Sequence, residues 1–472
     1  MSDLRRPIKE LAEEVASGRM SAKALIQQSL AAIEKSKDFH TVLEVNNHAL
    51  AEAEKVDEDV KNGKMVGQLA GIPFIAKDNF LTFGTDTTAG SNILKNFKAP
   101  YQATAIDLLL KEGAILVAKA NLDAFGHGSS TENSDFGPTK NPHDASRIPG
   151  GSSGGSAAAI SLGLAAFSLA TDTGGSIRQP AAMCGVVGFK PTYGLVSRYG
   201  VVAMGSSFDT IGVIANRVED ASQVLEYLSG KDSADATTID RDEHSYADTD
   251  ASVNGLKFGL VKEFIGEGVD PEVKAALLES VEKIKSQGGE VEEISIPTLD
   301  LALGCYYILV PAEISSNLSR YDGIRYGHSS EKAKSINDQF FLSRNEGFGD
   351  EAKRRIIIGT YVLSSGYYDA YYKKAQKVRT LIRRDFEDAF RKFDFLIGPT
   401  SPIKAWKLGE KSKDPLAMYL TDIDTVAVNL VGSPAISIPI NAGDLPIGLQ
   451  LIGPQKSESK LFSAAKGLEE LS

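Results

Sequence analysis

Between residues 150 and 178 the chain makes two tight turns of glycine and serine, Gly150-Gly-Ser-Ser-Gly-Gly-Ser156 and Thr171-Asp-Thr-Gly-Gly-Ser-Ile-Arg178. Paired glycines let a backbone turn sharply. The first turn opens a small-residue helix over 157–164. An apolar strand over 165–170 leads into the second turn, and a short helix follows. The same alternation runs through the rest of the chain. A helix over 103–112 precedes a strand over 114–118. A strand over 211–215 precedes a helix over 219–228. Further on come a strand over 256–261, a helix over 270–287 and a strand over 289–294. Alternating elements of this kind predict an α/β fold with a large mixed, mostly parallel central sheet, covered by helices on both faces.

The remaining elements fit that frame. Residues 3–36 predict two helices, the second capped by Ser21. Residues 41–61 predict a short strand and a charged helix, and 69–79 a buried strand ending in Lys77-Asp78. One long helix is expected over 366–393 and another over 414–431, with strands over 395–398, 435–439 and 448–452. The polar, acidic stretch 231–253 reads as a surface excursion. No 20–50-residue repeat and no linker divides the chain. A single domain over 1–472 is expected, with a core at about 65–230 and the remaining sheet and helices at about 255–472.

The chain has 472 residues and a net charge of −11. That balance argues against a large nucleic-acid footprint of its own. Two cysteines, Cys184 and Cys305, make neither a disulfide framework nor a four-cysteine zinc site. They read as reduced, buried thiols of a cytoplasmic protein. The first residues lead into an amphipathic stretch with no apolar signal region. The longest apolar run, 157–170, is too short to span a bilayer, so no membrane role is expected.

The chemistry is expected at the turns. The first opens a helix, where N–H groups can cradle an anion. No G-x-x-x-x-G-K-[ST] motif accompanies it, which argues against nucleotide binding in this chain. Gly150-x-Ser152-x-Gly154 fits a nucleophile-elbow pattern, but no strand precedes it. The only histidines downstream are His244 and His328, in the acidic excursion and a Gly/Ser turn. The second turn follows a strand and opens a helix. Its N–H groups suit an oxyanion hole, and Ser176 suits a nucleophile. A serine hydroxyl needs a base. With six histidines in all, lysine is the alternative if burial lowers its pKa, and Lys77 closes a strongly apolar strand. Asp172 and Arg178 read as residues that shape the turn.

These strings, with Cys184-Gly-Val-Val-Gly-Phe-Lys-Pro-Thr-Tyr-Gly194, resemble the amidase signature family. The 24-residue separation of Ser152 and Ser176 and the Lys77-Asp78 pair match its motifs. The resemblance implies a Ser–cis-Ser–Lys triad. Ser176 would attack the amide carbon, Lys77 would act as base, and Ser152, on a cis peptide, would relay the proton. The N–H groups of Thr173, Gly174, Gly175 and Ser176 would bind the oxyanion.

The resemblance extends beyond these motifs. Ser316-Asn-Leu-Ser-Arg-Tyr-Asp-Gly-Ile-Arg-Tyr-Gly327, Ser343-Arg-Asn-Glu-Gly-Phe-Gly349 and the stretch 359–382 are similar to the family's branch of glutamyl-tRNA(Gln) amidotransferase A subunits. That branch implies a glutaminase within a carbon–nitrogen ligase complex of protein biosynthesis. Arg355 would hold the α-carboxylate of glutamine and Asp422 its α-ammonium, with Tyr306 and Ser129 nearby. Arg354 competes with Arg355 for the first role.

The resemblance further implies a heterotrimer with subunits B and C and no cofactor or metal in this chain. ATP and Mg would be bound by the B subunit. The misacylated tRNA would be held mainly through that partner; it would be Glu-tRNA(Gln), with Asp-tRNA(Asn) left open as a second case. The alternative is a stand-alone amidase acting on a small amide with the same triad. His127, His143, Thr210 and Val213 depart from the branch's pattern.

Overall fold

Seven strands carry side chains that are buried throughout, among them β2 (Pro73–Lys77), β3 (Ile115–Ala120) and β4 (Phe167–Asp172). Near-continuous apolar runs of this kind suit a sheet covered on both faces. The computed structural model describes residues 3–248, 250–412, 414–440 and 443–471. With β1 as Val42–Val45, the remaining strands are β5 (Val187–Lys190), β6 (Thr210–Ala215), β7 (Lys257–Val261), β8 (Glu290–Ile294), β9 (Phe395–Pro399), β10 (Ala435–Ile440) and β11 (Ile447–Ile452). All eleven join one sheet in the order β1-β3-β2-β4-β6-β5-β10-β11-β9-β7-β8.

The sheet is mixed, as expected, but not mostly parallel. Six of the ten strand pairings among the described residues are antiparallel. The parallel pairs are β2 with β3, β2 with β4, β7 with β8 and β7 with β9. Parallel neighbours need a long crossover, whereas antiparallel ones can be joined by a short loop. β10 and β11 form such a hairpin. β6 inserts between β4 and β5, antiparallel to both. A count of alternating elements registers neither arrangement, and it misses β5 altogether.

Helices cover both faces. Successive strand residues point to opposite sides. At Gly188 a Cβ would stand 2.5 Å from Ala181 Cβ, in the helix Arg178–Cys184. Phe189, next along β5, packs on Phe462 of the helix Glu458–Glu469, ring centroids 4.4 Å apart. Across the sheet, Phe74 stacks on Phe167 at 5.3 Å, where β2 and β4 are in register. A second core forms around the helix Ala302–Asn317 and buries Cys305, Leu309, Val310 and Ile314 against Phe386 and Val428.

Ser21 caps the helix Ala22–Lys35, its hydroxyl accepting from Ala24 N–H at 3.3 Å. Two expected helices are interrupted. The stretch 366–393 contains a π-helical turn, Tyr368–Lys373, before the helix Lys374–Phe390. The stretch 414–431 splits into Pro415–Tyr419, a 3-10 turn Leu420–Asp422 and Val426–Val431. Thr425 sits at the break, its hydroxyl donating to Asp422 O (3.1 Å) and to Gly174 O (2.6 Å). The interruption thus ties this segment to the second turn. The acidic excursion carries no helix or strand among its described residues, and Asp235 fastens it to Arg198 by an ion pair at 3.4 Å.

Candidate active site

Lys77 ends β2 with its side chain wholly out of solvent. Its Nζ lies 2.7 Å from Ser152 Oγ, 2.8 Å from Ser153 Oγ and 3.4 Å from Thr171 O. Burial pushes its pKa down to about 7; the charges of Asp123, Asp172 and Asp209 work against that shift but do not cancel it. The neutral amine is therefore populated near neutral pH. Ser152 follows a cis peptide bond from Gly151. Ser153, a loop residue by sequence, is the second acceptor for Lys77. Its position beside Ser152 in the motif is the only sequence signal of that role.

The two turns touch. Ser153 N–H donates to Ser176 O at 3.2 Å. Gly151 N–H donates to Gln179 Oε1 at 2.9 Å, and Gln179 Nε2 donates to Ser129 O at 3.1 Å. Ser176 retains 9% exposure among neighbours that are almost entirely buried.

Asp172 organises the second turn. Its carboxylate accepts from Gly175 N–H (2.9 Å) and Ile177 N–H (3.1 Å) and takes Arg178 bidentately, both contacts at 3.0 Å. Burial alone would raise its pKa. The Arg178 charge and hydrogen bonds reverse that and hold it below the usual carboxylate range. Arg178 continues to Gln450 Oε1 (2.6 Å) and Asn429 Oδ1 (2.7 Å). Both side chains are fully buried, and their bonds go to the turn and its supports, as expected of residues that shape it.

Because Gly175 N–H is spent on Asp172, the N–H groups of Thr173, Gly174 and Ser176 remain as the candidate oxyanion donors. Gly175 has φ +134°, and at Gly174 a Cβ would stand 2.5 Å from the Tyr306 hydroxyl. Larger residues fit at neither position.

A charged pair flanks the turns. Asp422 is 9% exposed and accepts from Ser129 Oγ (2.7 Å) and from the Tyr307 hydroxyl (2.8 Å). Burial raises its pKa to about 6, against the pull of those two hydrogen bonds and of Arg355. Arg355 is buried, with Nε on Glu351 Oε1 at 2.8 Å and its guanidinium over the rings of Tyr307 (5.4 Å) and Tyr419 (5.5 Å). Its terminal nitrogens are not used by that ion pair. Arg354 also pairs with Glu351 but is 42% exposed, so Arg355 is the interior cation.

Tyr307, Glu351 and Tyr419 join the site without any signal in the sequence. Tyr306 abuts Gly174, while Tyr307, the next residue round the helix, reaches Asp422. Sequence alone cannot choose between adjacent tyrosines.

His244 is exposed and His328 pairs with Glu346 at 2.9 Å, so neither joins this group. Cys184 and Cys305 are buried and unbridged. No helix among the described residues is long and apolar enough to cross a membrane.

Residues 24–462 match the amidase family. The chain is 55% identical to the A subunit of a glutamyl-tRNA(Gln) amidotransferase of Thermoanaerobacter pseudethanolicus, over 89% of this chain and 87% of that one. It is 49% identical to the protein of the same name from Prochlorococcus marinus, over 97% and 96%. The crystal structure of the glutamyl-tRNA(Gln) amidotransferase A subunit from Thermotoga maritima superposes with a TM-score of 0.82 at 40% identity, over 99% and 95% of the two chains. The chain therefore belongs to the amidase family, and within it to the glutamyl-tRNA(Gln) amidotransferase A subunits.

Proposed function

We propose that this chain hydrolyses glutamine to glutamate and ammonia by way of a covalent glutamyl-serine. The observation that carries the reading is a buried cation, Arg355, and a buried carboxylate, Asp422, joined through Tyr307 and tied to the serine turn by Thr425. A zwitterionic amino-acid head needs one charge of each sign, and a guanidinium fork suits a carboxylate. A stand-alone amidase for neutral amides would need neither charge.

In this reading Ser176 Oγ attacks the side-chain amide carbon while its proton passes to Ser152. Ser152 in turn gives its own proton to the neutral amine of Lys77. The N–H groups of Gly174 and Ser176, with that of Thr173, face the oxyanion. Collapse of the tetrahedral intermediate breaks the C–N bond, and the proton returns through Ser152 to the leaving nitrogen as ammonia. Water then attacks the ester carbon by the same relay, releasing glutamate and restoring Ser176. Arg355 and Asp422 hold the α-carboxylate and α-ammonium, with Tyr306 lining the turn. Ser129 and Tyr307 orient Asp422.

The relatives' name extends the proposal. The ammonia is passed to a partner subunit that uses ATP and Mg to convert Glu-tRNA(Gln) into Gln-tRNA(Gln). Subunits B and C complete a cytoplasmic heterotrimer, and one domain, 1–472, forms this chain's share of it. A native pull-down from the source cells tests the assembly: two further proteins and tRNA in stoichiometric amounts are expected. Recovery of the chain alone, still cleaving amides, would contradict it. Ammonia release from glutamine by Arg355→Met and Asp422→Asn tests the substrate. Each should lose kcat/KM by about 10²-fold, the scale of breaking a buried charge contact. Unchanged kinetics in both would place glutamine elsewhere.

A further inference from the structure

His127 is fully buried, and neither of its ring nitrogens has a hydrogen-bond partner. Its backbone is pinned on both sides. The N–H donates to Ala124 O at 3.0 Å, and the carbonyl accepts from Asn133 Nδ2 at 2.9 Å. Only the imidazole is left unsatisfied. Buried polar atoms are almost always paired, and an orphan costs free energy unless something else meets it.

Gly126, one residue before His127, is where a Cβ would stand 3.5 Å from Ser152 Oγ. Ser129, two residues after, donates to Asp422. The segment 126–129 thus runs from the proton relay to the anionic end of the pocket. Burial holds His127 well below the usual histidine range, and the nearby charge of Arg355 adds to that effect. A neutral imidazole offers one N–H donor and one acceptor and does not repel a cation. On the anionic side, Asp422 already has Ser129 and Tyr307. On the cationic side, Arg355 has given its Nε to Glu351. A carboxylate has about four lone-pair sites, and the fork geometry of a guanidinium brings only two of its N–H groups onto one carboxylate, which leaves lone pairs for a further donor.

We infer that His127 is a further substrate-binding residue, its ring N–H donating to the α-carboxylate of glutamine beside Arg355. The inference rests on the glutamine reading above. Two amides separate the two claims: glutamine, and 4-aminobutanamide, which lacks only the α-carboxylate. The full chain is assayed with whatever subunits copurify. His127→Met keeps the apolar volume and removes the donor. It should raise KM for glutamine about tenfold with kcat nearly unchanged, and leave kcat/KM for 4-aminobutanamide within about twofold. His127→Gln, which restores a donor, should recover most of the loss and guards against a packing defect. Equal losses on both amides, or no loss on glutamine, would overturn the role of His127. A wild-type enzyme indifferent to the α-carboxylate would instead sink the glutamine reading itself.

Discussion

At the scale of single residues, the proposed catalysis turns on a lysine with no solvent contact. Its folded pKa of about 7 lies below the usual 10.5, so the amine required as a base forms as pH rises through 7. Asp422, raised to about 6, must be ionised to hold an ammonium, and it loses that form as pH falls through 6. The predicted kcat/KM for glutamine therefore climbs from acid pH in two steps, near 6 and near 7. Asp422→Asn should flatten the lower step and leave the upper, as read from pH profiles on purified enzyme. Ser152 and Ser153 lie equally close to Lys77 but should differ in consequence. Ser152→Ala removes the relay and should cost about 10²-fold or more in kcat. Ser153→Ala removes the bond it donates to Thr171 O and the one it accepts from Lys77; the latter, the one that touches the base, is worth about 1 kcal/mol, or roughly fivefold. Equal losses would mean that the relay runs through both. Lys77, Ser152 and Ser176 stand out as candidates in the sequence because the motifs are long and their residue types chemically unusual together, whereas Arg355 and Asp422 are candidates only through the family resemblance. Tyr307, Glu351 and Tyr419 are not, since their roles depend on which helix face meets which neighbour.

At the scale of elements, the turn after β4 is held by one carboxylate. Asp172 binds two turn N–H groups and the Arg178 fork, all without solvent. Asp172→Asn leaves the Arg178 charge buried and uncompensated, which costs about 3–5 kcal/mol. Denaturant unfolding should show that loss, and ammonia release should fall with it because the turn carries Ser176. A variant of wild-type stability would mean that Gln450 and Asn429 suffice to hold Arg178. The strand–turn–helix unit is readable from its glycines and apolar run. The break in the stretch 414–431 is not: Thr421, Asp422, Asp424 and Thr425 are weak helix formers, but weak propensity alone does not fix where a helix ends. Thr425 stops the helix by bonding to Gly174 O, a contact 251 residues away in sequence. The same distance effect hides the antiparallel pairs: β5 pairs with β10, whose partner residues lie far along the chain.

At the scale of the whole molecule, that pairing of β5 with β10 places early and late segments side by side in the middle of one sheet. Thermal unfolding should accordingly show one calorimetric transition, and two resolved transitions would contradict a single domain. Two acids also give that transition a pH dependence. Asp220 accepts Ile8 N–H at 2.8 Å and Glu469 accepts Val218 N–H at 3.0 Å. Burial raises both to about 7, from usual values of 3.8 and 4.5. In that window the folded chain holds more protons than the unfolded one, so their contribution to stability is full at acid pH and lost as pH rises through 7. Asp220→Asn with Glu469→Gln should flatten the fall in Tm between pH 5 and pH 8; an unchanged slope would show that other groups set it. The central claim, a glutamyl ester on Ser176, is tested most directly by acid-quenching the enzyme during turnover of glutamine and mapping the adduct by mass spectrometry. A glutamyl group is predicted on the peptide bearing Ser176, absent in Ser176→Ala. A glutamyl group on any other residue, or ammonia release that survives Ser176→Ala, would contradict it.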